Sequence, residues 1–215
     1  MAVALRRYWP RLFVSTGTVV VIGSVAGLRD PLASMASYTA SLMALNQVAP
    51  PLLLLGMRRS SRSASAIEQW LFDPWVAFCV FGAVTIAISL PGIFAPAVAN
   101  AVFSAPLGLL ELASGLLLWR QILPGGQTLD ADWKIGAFGF LAGIPMTVVA
   151  VVWMLAPAVL YTPYLDVLCR WNISPLADQR WAGFIMLVSG APLQLASLWL
   201  ILGLRAPGLI DKQPS

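Results

Sequence analysis

Histidine is absent from this 215-residue chain, and charged residues make up only 10% of it. Soluble domains average about 25% charged residues, whereas 59% of this chain is hydrophobic. Without histidine, the chain lacks the side chain that most often binds metals, ligates haem iron and shuttles protons near neutral pH. The composition therefore predicts an integral membrane protein that supports other machinery, with no redox or metal chemistry of its own.

Cysteine is scarce as well. The only two are Cys79 and Cys169, and neither belongs to a C-x-x-C pair, so a metal site built on cysteine is not expected. The sequence also contains no Ser-His, Cys-His or paired-carboxylate arrangement, and we therefore do not expect an enzyme.

Long apolar stretches dominate the rest of the chain. A bilayer core of about 30 Å needs about 20 helical residues, and six stretches meet or approach that length, at residues 12–28, 34–57, 74–94, 97–119, 135–161 and 179–203. The sequence thus predicts an all-α fold, in which residues 1–215 form a single integral membrane domain. We expect a polytopic bundle of about six membrane-spanning helices.

The basic residues predict the orientation of this bundle. Ten of the thirteen Lys and Arg residues fall at one set of predicted span ends, and only Arg29, Arg170 and Arg180 fall at the other set. Cytoplasmic loops carry the excess of Lys and Arg, so both termini are expected in the cytoplasm.

Aromatic residues mark many of the predicted span ends. Trp and Tyr concentrate at both membrane–water interfaces. The residues that fit this pattern are Trp9, Trp70, Trp75, Trp119, Trp133, Tyr161, Tyr164, Trp171 and Trp181. We expect them to form the interfacial aromatic belt.

Three polar residues lie deep within the predicted spans. Glu111 falls near the middle of the fourth span, and Asn46 and Gln47 fall within the second. An ionisable group at such depth suggests function, either as a proton carrier or as a hydrogen-bonding group that holds helices together. Interhelical bonding is favoured here, because no second acidic residue or histidine accompanies Glu111 at depth.

Proline interrupts several spans, most visibly at Pro50-Pro51. Broken helices can build transporter sites, but bundles also tolerate them where neighbours satisfy the freed carbonyls. No internal repeat accompanies these prolines, so a carrier for copper or a small molecule is the alternative and not the first interpretation.

Four methionines could offer soft thioether ligands to copper(I). Met35 and Met43 are eight residues apart, as are Met146 and Met154, so each pair shares a helix face. Methionine also fills gaps in packed helices. Since no histidine or cysteine supports them, copper binding through these residues is not expected.

Several blocks of sequence resemble one family. They are residues 48–56 (VAPPLLLLG), 113–119 (ASGLLLW), 161–164 (YTPY), 174–179 (SPLADQ) and 183–186 (GFIM). Their order and spacing are similar to those of the polytopic cytochrome c oxidase assembly factor family of CtaG type. The resemblance covers roughly residues 38–203.

The chain departs from that family at its histidines. The resemblance implies one histidine pair near Tyr38 and Leu42 and another near Ser104 and Gly108, and a Trp-His-x-Pro turn where this chain has ISLP at 88–91. All of these histidines are missing here. The chain thus resembles a divergent member whose metal-handling residues are lost.

The resemblance implies a bacterial cytoplasmic (inner) membrane protein that supports a haem–copper terminal oxidase. It would act as an assembly factor or as an accessory subunit retained in the respiratory complex. The expected partners are oxidase subunits and membrane lipids. Neither nucleic acid nor a resident cofactor is expected.

The family blocks that this chain retains include Asp178 and Gln179. Asp is favoured at helix N-termini, where its carboxylate meets free backbone N–H groups. The sequence therefore predicts that this pair caps the sixth helix. The expected structural or interface residues are Glu111, Asn46, Gln47, Pro50, Pro51, Asp178 and Gln179.

Overall fold

A computed structural model of the chain describes residues 2–57, 70–99, 101–124, 128–165 and 172–203. Those residues form helices and connecting turns, with no strand among them. This confirms the all-α fold class.

Eight α-helices and three shorter segments follow one another in this part of the chain. The α-helices are α1 (Ala2–Gly27), α2 (Met35–Met43), α3 (Ala49–Gly56), α4 (Pro74–Ser89), α5 (Pro91–Ala99), α6 (Ala101–Ile122), α7 (Asp132–Leu155) and α8 (Pro175–Ile201). A π-helical segment (Ala44–Val48) joins α2 to α3, and short 3₁₀ turns lie at Pro31–Ala33 and Thr162–Tyr164.

Four helices in the described residues are long and apolar enough to cross a membrane. They are Tyr8–Gly27, Met35–Gly56, Asp132–Leu155 and Pro175–Ile201. The prediction of six spans is therefore met only in part. Helix α6 has 22 residues, but it carries Glu111 and Arg120 and is not one of the four.

The predicted span 74–94 is not one continuous helix. Helix α4 ends at Ser89 after 16 residues, and Leu90 adopts an extended backbone (φ −75°, ψ 134°). Pro91 then begins α5. A residue before proline is disfavoured in the α region because it clashes with the proline ring, which explains the break.

Other predicted span limits also shift. The predicted span 97–119 begins in the last residues of α5, which ends at Ala99, and α6 runs from Ala101 to Ile122. Helix α7 ends at Leu155 and not at 161, because Ala156 leaves the helix (ψ 131°) ahead of Pro157. Helix α8 begins at Pro175, four residues before the predicted start at 179. Its first-turn proline suits that position, where the missing N–H would have no partner in any case.

Helices α7 and α8 form the most extensive helix pair in the described structure. Glycines allow their backbones to approach closely. A Cβ on Gly136 would lie 2.6 Å from the Ser197 carbonyl oxygen, and one on Gly183 would lie 2.7 Å from the Ala150 carbonyl oxygen. Close approach at small residues is the usual means of helix association in membranes, where lipid offers no hydrophobic driving force.

Candidate functional site

The middle of the bundle contains a cluster of buried polar side chains. Asn46 and Gln47 lie in the π segment and are 1% and 4% exposed, and Glu111 on α6 is 2% exposed. Asn46 Nδ2 donates to the Glu111 carboxylate, to the Glu111 carbonyl oxygen (3.2 Å) and to Ser114 Oγ (3.1 Å). We call Asn46, Gln47, Glu111 and Ser114 the mid-bundle cluster. The structure thus brings together the three polar residues that the sequence selected.

Pro50 and Pro51 account for the π segment. Each lacks an N–H, so Pro50 cannot donate a hydrogen bond to the Asn46 carbonyl, and Pro51 cannot donate one to the Gln47 carbonyl. The backbone widens into π geometry over Ala44–Val48, a distortion that often marks functional sites. Pro50 is buried and Pro51 is half-buried. Gly115 of α6 packs directly against Pro50 and the Asn46 carbonyl.

The mid-bundle cluster leaves hydrogen-bonding capacity unused. Gln47 Nε2 donates to Asn46 Oδ1 at 2.6 Å, but Gln47 Oε1 has no partner although it is buried. The hydroxyl of Tyr38, which lies eight residues before Asn46 in the same span, is also buried without a partner. Buried polar groups are nearly always bonded, so these two atoms carry an energetic cost that the fully bonded side chains of the core do not.

A second buried polar cluster lies where α2 and α8 begin. Asp178 is 1% exposed. Its carboxylate accepts hydrogen bonds from Ser34 Oγ (2.7 Å), Met35 N (2.6 Å) and Ala36 N (3.2 Å). Ser34 Oγ in turn accepts from Ser37 N at 3.2 Å. Asp178 therefore caps α2, the helix that starts about 140 residues earlier in the chain.

The predicted role of Asp178 and Gln179 as the cap of their own helix is wrong. Ser174 is the N-cap of α8, and its Oγ accepts from Ala177 N at 3.3 Å. Because α8 begins earlier than expected, Asp178 lies within its first helical turn and its side chain reaches the neighbouring helix. Serine is as good an N-cap as Asp, so local sequence alone did not separate the two.

Gln179 joins α8 to the end of α7. Its Oε1 accepts from Leu160 N at 2.8 Å, and its Nε2 donates to the Trp153 carbonyl oxygen at 3.3 Å. Both ends of the amide are used, and the residue is fully buried. We call Asp178, Gln179 and Ser34 the cap cluster.

An aromatic core lies beside the cap cluster, and the sequence did not indicate it. Phe94 lies at its centre, with ring centroids 5.6 Å from Tyr38, 5.6 Å from Trp153, 4.5 Å from Tyr161 and 6.5 Å from Tyr164. Tyr161 donates to the Ser89 carbonyl and Tyr164 to the Pro31 carbonyl, both at 2.8 Å.

The aromatic residues that were predicted to form the interfacial belt are exposed at some positions and buried at others, where the prediction is wrong. Trp9, Trp70, Trp75, Trp133 and Trp181 are all more than half exposed. Tyr161, Tyr164 and Trp119 are buried, because helix ends that meet other elements are covered by protein and not by lipid headgroups. Trp171 lies outside the described residues.

Other side chains occupy the positions where the family resemblance implies histidines. Tyr38 and Leu42 are 1% and 2% exposed and belong to the main core. Ser104 Oγ donates to the Leu28 carbonyl oxygen at 3.2 Å. Gly108 faces the side chains of Leu28 and Leu45. Aliphatic and aromatic side chains thus surround these positions.

Three of the four methionines lie in this core. Met35, Met43 and Met146 are buried and Met154 is half-buried. Met146 Sδ lies 4.0 Å from Gln47 Nε2. Within the described ranges, no group of three or more His, Cys, Asp and Glu residues could hold a metal ion. Absence of copper binding stays a prediction.

Comparison with known proteins gives one result. No curated protein and no solved structure matches the chain. Residues 12–205 match the family model described as cytochrome c oxidase caa3 assembly factor (Caa3_CtaG). The match covers most of the 215 residues and agrees with the resemblance carried by the sequence blocks, and the chain therefore belongs to the Caa3_CtaG family of cytochrome c oxidase assembly factors.

Proposed function

We propose that this protein supports assembly of a haem–copper terminal oxidase from within the bacterial inner membrane, without catalysing a reaction. Membership of the cytochrome c oxidase caa3 assembly factor family carries this proposal. The apolar helices support a membrane location. The partners are the oxidase subunits, reached through helix–helix contacts in the bilayer.

The residue types of the chain and the bonding of its buried polar groups indicate how the protein supports assembly. The full sequence has no histidine, so copper or haem handling through imidazole is impossible for this chain. Its polar residues form the mid-bundle and cap clusters, where they bond to one another and to backbone groups. We therefore propose that it holds an oxidase subunit in place during assembly and does not deliver a metal.

Co-purification tests this proposal. The full chain is tagged, solubilised gently and analysed for subunit content and haem spectrum. If the protein is an assembly factor, oxidase subunits co-purify with it in small amounts, and these amounts rise while new oxidase is being made. Stoichiometric oxidase at all growth stages identifies an accessory subunit, and no oxidase at all favours an independent carrier.

Metal analysis of the same preparation tests the carrier alternative. We expect less than stoichiometric copper on the purified chain. Stoichiometric copper(I) that is lost in Met35→Leu or Met146→Leu would contradict the proposal, because thioether sulfur would then be the ligand.

A further inference from the structure

A cavity of about 370 Å³ lies between α1, the π segment and α6. Its walls are formed by Val and Leu side chains together with Ser104, Ala105 and Gly108, and one charged residue, Arg29, also lines it. The volume falls within the range of small-molecule and cofactor sites. The polar group of Ser104 is already bonded to the Leu28 carbonyl, so the interior offers an occupant almost only aliphatic contacts.

Small residues of α6 form one wall of the cavity. Gly108 lies four residues after Ser104 and three after Ala105, so the three are on the same side of the helix. That face turns toward α1, whose membrane-spanning part is only 11% buried. Because α1 packs loosely against these small residues, the cavity has room for a bound ligand.

The cavity is accessible from the lipid side. Val25 and Leu109 both line it, and they are 50% and 68% exposed. In a membrane-spanning bundle, exposed aliphatic side chains on helices face lipid tails. An acyl chain can therefore enter laterally from the bilayer.

Arg29 provides the second recognition element. It follows directly after the end of α1 at Gly27-Leu28, where the predicted span meets the interface, and it is exposed. It forms no ion pair with other described residues. A basic group at the interface attracts anionic lipid headgroups.

We propose that this cavity binds one acyl chain of an anionic phospholipid, whose phosphate is held by Arg29. The apolar walls of the cavity favour the acyl chain, and the positive charge of Arg29 at the cavity mouth favours an anionic headgroup. The site is independent of the oxidase role, because it uses neither the mid-bundle cluster nor the cap cluster.

Native mass spectrometry of the delipidated full chain tests this site. Phosphatidylglycerol and phosphatidylcholine with identical acyl chains are the probes, and glycerol phosphate is the competitor without a tail. We expect one tightly bound phosphatidylglycerol, bound in preference to phosphatidylcholine. Arg29→Gln should lower phosphatidylglycerol affinity about fivefold, in line with one basic group at a membrane surface. Arg11→Gln, near the other end of the candidate span Tyr8–Gly27, is the matched control and should change nothing.

A second pair of variants tests the tail pocket. Ala105→Phe, or the milder Ala105→Leu, should reduce binding of both lipids because the added side chain fills the cavity. Ala113→Phe places the same bulk on an exposed position of α6 and should leave binding intact. Four outcomes would each overturn the proposal. The first two are equal binding of the two lipids and competition by glycerol phosphate. The others are unchanged binding in Ala105→Phe and Ala105→Leu, and retention of a polypeptide in place of lipid.

Discussion

The mid-bundle cluster and the cap cluster are equally buried, but they use their hydrogen-bonding capacity differently. In the cap cluster, Asp178 accepts three hydrogen bonds and Gln179 uses both ends of its amide. In the mid-bundle cluster, Gln47 Oε1 has no partner. The buried acid there, Glu111, is bonded to the neutral amide of Asn46.

This difference in hydrogen bonding separates two roles of buried polar residues, a structural role and a role in responding to a partner, which look alike in sequence. A fully satisfied polar network fixes one arrangement of the helices, whereas a partly satisfied one carries a free-energy penalty that selection retains only for a reason. We therefore interpret the cap cluster as structural, and of the two clusters we regard the mid-bundle cluster as the one better suited to respond to a partner.

Asp178→Ala should have the largest effect of any single change in either cluster. It removes the acceptor for two backbone N–H groups and one hydroxyl, all buried, and each unsatisfied buried donor costs about 1–3 kcal/mol. We expect a loss of about 3 kcal/mol or more in the free energy of unfolding, measured by denaturation in mixed micelles. Oxidase that still assembles should turn over normally per haem. A loss below about 1 kcal/mol would contradict the capping of α2 by Asp178.

Glu111→Leu should have the next largest effect, because it leaves the Asn46 amide without its carboxylate acceptor. The expected loss is about 1–2 kcal/mol, with lower accumulation of the protein. Glu111→Gln is the control. It keeps an acceptor and should be mild in the same assay.

Oxidase activity per haem in membranes from the two Glu111 variants separates packing from proton transfer. Both variants should leave this ratio unchanged. If Glu111→Gln abolishes turnover while the complex accumulates normally, Glu111 carries protons and its structural role is not the main one.

Ser174→Ala should have a smaller effect than Asp178→Ala. It removes one side-chain bond to Ala177 N at the exposed start of α8, and loss of an N-cap serine costs about 1 kcal/mol. The comparison with Asp178→Ala in the same denaturation assay tests which residue caps which helix. Equal losses in the two variants would contradict the assignment.

Gln47→Leu should have the smallest effect on stability. The change leaves the buried Asn46 Oδ1 without its donor, which is a cost, but it also removes the unpartnered Oε1 of Gln47, which is a gain, and the two partly cancel. We expect a change of less than about 1 kcal/mol in the unfolding free energy. A loss of about 3 kcal/mol would show that Oε1 is bonded in the folded protein, and the contrast between the two clusters would then disappear.

The sequence by itself determined the class of fold and pointed to five of the polar residues that the structure buries. Apolar stretches of about 20 residues form helices in a membrane because no other arrangement of a single segment satisfies its own backbone groups. The same cost of burying polar atoms singles out Asn46, Gln47 and Glu111, whereas the retained family block singles out Asp178 and Gln179. All five are buried. The family was also recognisable from its sequence blocks and is confirmed over residues 12–205. Orientation stays a prediction, since the length and composition of the helices identify candidate spans but not the side of the membrane that each end faces.

Only the tertiary structure decided which partners these residues have. Asp178 lies near a helix start in any reading of the sequence, but its carboxylate bonds to backbone groups at Met35 and Ala36, more than 140 residues away. Tyr161 and Tyr164 have the polarity of interfacial residues, and they are buried because Phe94 and its neighbours cover them. Local patterns depend on spacing along one helix, whereas these contacts depend on how separate helices pack, which no single stretch of sequence encodes.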